Sequence, residues 1–320
     1  MSEFTYFMPV RVECGLGASN RAGERIAAMG ARCVLVVTDP GIRNAGLLSD
    51  IERSLAEAGL AYRIFDEVEP NPGEDAVVKG TAALKENGCD LVLAVGGGSS
   101  IDAAKAIAAM AVNPGSILDY EGVGRLPRPA LPIVAVPTTA GTGSEATPAA
   151  IITNKETQFK TAIISPHLYP RLALLDAGLT LGLPRHITAA TGMDALTHAI
   201  ESFVSKQANP VSEALALQAM TMIAANIERA YSRGDDAACR ERMLVASMMA
   251  GAAFAQSRLG NVHAISHTLG GIFGIAHGIA NAVLLPYVME FNLPACPDKF
   301  ARIAAALGAV LLRERLRLSV

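Results

Sequence analysis

Apolar residues follow two different rhythms along this 320-residue chain. In the first half, short unbroken apolar runs alternate with helical patterns. Cys33–Thr38 (CVLVVT) predicts a strand buried on both faces, closed by the turn residues Asp39, Pro40 and Gly41. A helix is expected near Leu47–Ala58, a strand over Ala61–Phe65, a helix over Glu74–Asn87 and a strand over Leu91–Val95. The glycine-rich turn 96–100 then leads into an Ala-rich helix, Ile101–Val112. Ile133–Val136, bounded by Pro132 and Pro137, is a further strand. Unbroken β-branched strands alternating with helices predict an α/β, Rossmann-like domain with a mostly parallel sheet covered on both faces.

Beyond Leu183-Pro184 the strand rhythm stops. Helical periodicity is expected over Ile187–Ser205, Val211–Arg229, Ala237–Ala255 and Val262–Phe273, with almost no strand signal to the end. The pattern divides the chain into an α/β domain, 1–182, and an all-α domain, 183–320, in line with a length that suits roughly two domains.

Composition narrows the classes. A chain that is 51% hydrophobic and 18% charged buries a large core and is not disordered. A net charge of −3 argues against nucleic acid as a partner. The longest apolar stretches, such as Met243–Phe254, fall short of the roughly 18–20 residues that span a bilayer, and MSEFTYFMPV does not read as a signal peptide. Five scattered cysteines with no C-x-x-C suit a reducing, cytoplasmic compartment.

Two constellations point to chemistry. The first is a pair of polar loops, each expected to follow a strand. Leu91–Lys105 reads LVLAVGGGSSIDAAK, in which glycines and a helix start let backbone N–H groups approach a pyrophosphate. It matches neither G-x-G-x-x-G nor the P-loop, and a plain tight turn capped by Ser99 or Ser100 explains it equally well. Pro132–Thr147 reads PIVAVPTTAGTGSEAT and offers the hydroxyls of Thr138, Thr139, Thr142 and Ser144. Two such loops at the carboxyl ends of neighbouring strands form one crevice for a ligand. Asp39, after an earlier strand, suits ribose hydroxyls and repels a 2′-phosphate, favouring NAD over NADP, unless it only starts its turn.

The second is a set of imidazoles. Asp194 and His198 stand at i and i+4 within GMDALTHAIE, and His263, His267 and His277 fall within fifteen residues of GNVHAISHTLGGIFGIAHGIAN. Each would need its own buried hydrogen-bond partner if it were merely packed in a core. One carboxylate with three imidazoles suits Fe(II) or Zn(II), with Mn(II) or Ni(II) as alternatives.

The segments GGGSSIDAAK, PTTAGTGSEAT, TAATGMDALTHAIE and HAISHTLGGIFGIAHGIANAVLLP resemble the iron-containing, or group III metal-dependent, alcohol dehydrogenase family from about Phe7 to about Leu307. The resemblance implies a Rossmann-like domain followed by a helical one, usually as a homodimer. It implies Asp194, His198, His263 and His277 as ligands of Fe(II), with Zn(II) the other metal, and His267 as a proton relay outside the metal's ligands. By the same resemblance Gly97, Gly98, Ser99 and Asp102 match the pyrophosphate loop, Thr138, Thr139 and Ser144 the second cofactor loop, and Lys160 a cofactor-contacting lysine. Asn71 and Pro72 match an Asn-Pro pair at the substrate cleft. The activity implied is reversible hydride transfer between NAD(H) and a small alcohol or aldehyde. Polyol or glycerol dehydrogenase or dehydroquinate synthase-like lyase chemistry on the same fold, or a truncated, inactive nucleotide-binding chain, are the alternatives. The family continues through more helices after the segment matching FARIAAALG, whereas this chain runs on as AVLLRERLRLSV, with Arg313, Arg315 and Arg317 unlike that continuation. Lack of those helices would open one wall of the substrate pocket and expose apolar surface.

Overall fold

The computed structural model describes residues 3–157 and 159–309, so the Arg-rich tail singled out above lies outside the described residues. Six strands form the main sheet: β1 (Arg11–Cys14), β2 (Cys33–Val37), β3 (Ala61–Phe65), β4 (Leu91–Gly96), β6 (Ile133–Pro137) and β9 (Leu172–Leu175). Their order is β1-β9-β6-β4-β2-β3, and every pairing is parallel. A small second sheet orders β5 (Gly122–Val123), β8 (Phe159–Ile164) and β7 (Ala149–Asn154), with β7 and β8 antiparallel.

The unbroken apolar strands have the expected cause. Leu35, Val37, Val92 and Ala94 enter one core on one face of the sheet, and Val34, Val36, Leu91, Leu93 and Val95 enter another on the opposite face. Successive side chains point to opposite faces, so a strand covered on both sides is apolar throughout. The covering helices are α1 (Ala22–Ala28), α2 (Pro40–Asn44), α3 (Ser49–Glu57), α4 (Glu74–Glu86) and α5 (Gly98–Met110).

The second half is helical: α6 (Arg185–Val204), α7 (Pro210–Ser232), α8 (Ala237–Ser257), α9 (Asn261–Phe273), α10 (His277–Asn292) and α11 (Pro297–Ala306). Its core gathers Ala199, Phe203, Met220, Ala250, Val262 and Leu285. No helix among the described residues is long and apolar enough to cross a membrane. α10 leaves Ile279, Val283, Tyr287 and Phe291 more than half exposed, a row at spacing four along one face.

Sequence pattern and structure differ at several points, among them α1, which had no expectation, and α2, which begins at Pro40 inside the expected turn. α5 starts three residues earlier than periodicity places it, because Gly98, Ser99 and Ser100 are already helical. Strands β1, β5, β7, β8 and β9 had no prediction. β1 and β9 pair Arg11 with Leu172 across the whole domain, so no local pattern announces them.

Candidate metal centre and cofactor crevice

Strand order places the crevice. From β2 the chain steps outward to β3, then returns to the other side of β2 as β4. Such a reversal opens a cleft at the strands' carboxyl ends. Asp39 lies there after β2, and Gly96–Gly98 after β4. α5 has no side-chain cap: Gly97 occupies its N-cap position, and the first N–H groups carry the positive end of the helix dipole. Gly96 has φ +152, and a Cβ there would meet Ser100 Oγ at 2.4 Å. A Cβ on Gly98 would meet Thr142 Cγ2 at 2.5 Å, and one on Gly97 would lie 3.4 Å from Thr139 Oγ1. The two loops therefore stand face to face.

Within this crevice the expected residues divide. Gly97, Gly98, Ser99, Thr139 and Thr142 are partly open to solvent, while Thr138 and Ser144 are buried. Asp39 caps α2 by accepting from Ile42 N–H at 3.0 Å, and its other oxygen accepts from Ser100 Oγ at 2.9 Å. Neither Ser99 nor Ser100 caps α5. Thr38 Oγ1, next to Asp39, is buried with no partner. Asp102 accepts from Ser144 Oγ at 2.5 Å and from Ile151 N–H at 3.0 Å, which ties α5 to the second loop and to β7. Asn71 is exposed in the left-handed region at φ 57, which asparagine tolerates, and Pro72 C=O beside it accepts from Thr153 N–H. The bare α5 terminus, the glycine cradle and the orphaned Thr38 hydroxyl fit a dinucleotide.

Lys105, inside the quoted GGGSSIDAAK motif, had no role assigned from sequence. It is fully buried on α5, and its Nζ donates to Ser144 C=O (2.7 Å), Thr147 C=O (2.9 Å) and Ala149 C=O (2.8 Å), with both hydroxyls also in reach. One ammonium thus holds the whole second loop. Burial pulls Lys105 down to about 8, while Asp102 and Glu145 favour its charge.

Across the crevice lies the imidazole cluster. Asp194 and His198 sit one turn apart on α6, His263 is in the first turn of α9, and His277 opens α10. Gly274 ends α9 at φ 66 and turns the chain so that His277 comes back toward His263. Asp194 Oδ1 stands 3.8 Å from His198 Nε2, 3.6 Å from His263 Nε2 and 3.5 Å from His277 Nε2. Hydrogen bonds are shorter. Donors each about 2.1 Å from one ion lie about 3.4 Å apart in a tetrahedral set, so these separations suit atoms that share a cation. The donor atoms of Asp194, His263 and His277 all lie within 4.8 Å of one another.

The other ring nitrogens face outward to partners. His263 Nδ1 is 2.6 Å from Glu201 Oε2, His198 Nδ1 3.3 Å from Gly141 C=O and His277 Nδ1 3.5 Å from Ser266 Oγ. That turns all three Nε2 atoms inward. Asn281, fully buried, donates from Nδ2 to Asp194 Oδ1 at 2.7 Å and lies 3.2 Å from the Nε2 atoms of His263 and His277, while its Oδ1 is orphaned. The donor set and the orphaned amide oxygen fit a divalent ion. Glu201 and Asn281 were not singled out from sequence, although the i, i+7 spacing of Glu201 from Asp194 held the signal.

Electrostatics follow the geometry. Burial pushes Asp194 up, but the nearby charges of His198, His263 and His277 outweigh it and hold the carboxyl well below its usual range. Burial draws His198 down to about 4 and His277 to about 3. Burial also lowers His263, yet Asp194 and Glu201 overcome it and raise the ring to about 9, so a metal displaces a proton there. His267 has its ring centroid 5.0 Å from that of His277 and 6.0 Å from that of His263. It is not among the convergent nitrogens, and burial with the neighbouring His263 and Lys160 charges lowers it to about 4. Lys160, half-buried on β8, reaches toward Gly270 of α9, and burial lowers its pKa against the pull of Asp194 and Asp102.

Close packing sets the positions of the clustered side chains. A Cβ on Gly278, directly after His277, would lie 2.1 Å from Ala190 C=O of α6. Gly278→Ala is therefore expected to cost about 1–3 kcal/mol and to shift His277 off the cluster. Metal analysis should find the purified variant largely empty. A normal metal content would mean that α10 yields without moving His277.

Comparison with known proteins identifies the family. The description "iron-containing alcohol dehydrogenase" matches residues 9–177, and its C-terminal counterpart matches residues 188–316. The chain is 43% identical over 303 residues to the NAD-dependent methanol dehydrogenase of Bacillus methanolicus, covering 95% of this chain and 80% of that one. It is 45% identical over 307 residues to the 1,3-propanediol dehydrogenase of Klebsiella pneumoniae, covering 95% and 79%. The solved structure of a 1,3-propanediol oxidoreductase superposes with a TM-score of 0.93 at 45% identity, covering 96% of this chain and 80% of that one. The chain belongs to the iron-containing alcohol dehydrogenase family and is a metal-dependent alcohol dehydrogenase.

Proposed function

We propose that this chain transfers hydride reversibly between NAD(H) and a small primary alcohol or aldehyde, with Asp194, His198, His263 and His277 holding Fe(II) or Zn(II). The observation behind this is the convergence of three Nε2 atoms on one Asp194 oxygen beside a glycine crevice. When bound, the ion acts as a Lewis acid toward an alcohol oxygen and the nicotinamide as hydride acceptor. The chain's own residues do the rest. Gly97, Gly98 and Ser99 offer N–H groups to the pyrophosphate, and Thr138, Thr139, Thr142 and Ser144, with Asp102 and Lys105 behind them, form the facing wall. Asp39 reads the ribose and disfavours a 2′-phosphate, so KM for NADP should exceed that for NAD. Lys160 lies between crevice and metal, and Asn71 lies at the substrate cleft. A homodimer in the reducing cytoplasm completes the reading. Its support is the family resemblance and five free cysteines.

His267 is the proton relay in this reading. Its lowered pKa keeps the ring neutral at pH 7, with a nitrogen lone pair open to a proton in transit. His267→Ala is expected to lower kcat roughly 10²–10⁴-fold while metal content stays at the wild-type level. Loss of metal instead would make it a ligand. The activity itself is tested by loading stripped protein anaerobically with Fe(II) or Zn(II) and following NADH with short aldehydes. Metal-loaded protein that turns over none of them refutes the proposal.

A further inference from the structure

We infer that Glu201 is a positioning residue: it fixes which nitrogen of His263 faces the metal, an inference that rests on the metal site proposed above. Asp194, His198 and Glu201 stand at i, i+4 and i+7 on α6, so one buried stripe of a single helix bears two ligand positions and this carboxylate. Glu201 is only 2% exposed. Its Oε1 accepts from Val262 N–H at 2.7 Å, and its Oε2 accepts from His263 Nδ1–H at 2.6 Å and lies 3.4 Å from His263 N. α9 has no side-chain cap of its own. A carboxylate from another helix therefore serves its first N–H groups and also meets the dipole there. Gly260 leaves room for it, since a Cβ at that position would lie 2.8 Å from Oε1.

An ionised carboxylate only accepts hydrogen bonds. Opposite Oε2, His263 must carry its proton on Nδ1, which frees the Nε2 lone pair to face Asp194. Neither of the other two rings is tied this way. Gly141 C=O and Ser266 Oγ are uncharged, and their contacts are longer, at 3.3 and 3.5 Å. A short contact to a charged acceptor is the strong form of this bond.

The isosteric change Glu201→Gln separates this role from simple packing. Val262 N–H needs an oxygen at the Oε1 position, so the amide nitrogen falls opposite His263 Nδ1 and donates to it. The ring must then carry its proton on Nε2, where the ligand lone pair is needed. Turning the amide over restores that pair but sets a donor against Val262 N–H. Either way one requirement goes unmet, the free Nε2 lone pair or the acceptor for Val262 N–H, while shape and volume are kept.

The test uses the metal-stripped full chain with Zn(II) alone, read by chelator competition, alongside thermal unfolding of the stripped protein. E201Q is expected to bind zinc about 10–100-fold more weakly. Its metal-free Tm should stay within about 4 °C of wild type, the shift expected from roughly 1 kcal/mol. Glu201→Asp keeps an acceptor-only group and should recover part of the affinity, which also serves should E201Q fail to fold. E201Q binding zinc within threefold of wild type overturns the inference alone, as does E201D no better than E201Q. A wild-type chain that takes up no zinc overturns the metal reading and this inference together.

Discussion

Lys105→Met is expected to destabilise the protein by roughly 3–5 kcal/mol, the cost of breaking a buried charged network by removing one member. Methionine fills nearly the same volume, so packing is conserved and the loss is electrostatic. Three backbone carbonyls, those of Ser144, Thr147 and Ala149, lose the donor that satisfies them in a dry site. Asp102 also loses its nearest cation, and burial already raises its carboxyl above the usual range against that cation's pull. Glu145, pushed up to about 7 by burial, loses the same partner. Thermal unfolding should show Tm lowered by about 6–20 °C. The slack reaches the crevice too, because Ser144 anchors the loop that holds Thr142 over Gly98. Protein that survives at low temperature should thus have a raised KM for NAD. A Tm within about 3 °C of wild type would mean that water replaces the ammonium.

Asp194→Asn is expected to abolish both metal retention and turnover. Asparagine keeps the shape and the Oδ1 acceptor toward Asn281, but the cluster loses its only anionic ligand. Three neutral imidazoles then face the ion alone. The loss in affinity should exceed the roughly 10–100-fold seen when only an outer partner is removed. The metal-free protein should respond in a second way. Asp194 helps hold His263 protonated near pH 7, and its removal lets burial lower that pKa. A folded pKa of about 9, against an unfolded value near 6.5, stabilises the fold fully below pH 6.5 and fades as pH rises through 9. Metal-free wild type should lose stability over that window, and metal-free Asp194→Asn should lose less. Zinc titration and Tm against pH measure the two effects. A variant that holds zinc as wild type does would remove Asp194 from the ligand set.

Much of this site is legible in the residue pattern. Asp194 and His198 share a helix face by spacing alone, and three histidines in one apolar stretch announce unusual chemistry. Strands β2, β4 and β6 were legible because covered strands are apolar at every position. The three residues that hold the site together were not. Lys105 looks like any lysine in an Ala-rich helix, Glu201 like a helix-end carboxylate, and Asn281 like a polar interruption. Their roles depend on partners 39 to 87 residues away.

The α/β-then-α order, the two polar loops and the membership of the imidazole cluster are legible in the chain alone. These are written in local periodicity and residue type, which act over a few residues. Which nitrogen of each ring turns inward, the bracing of the second loop by Asp102, the capping of α2 by Asp39 and the pairing of β1 with β9 emerge with the fold. Those outcomes depend on hydrogen-bond geometry between segments distant in sequence, where a shift of one ångström separates a ligand from a bystander.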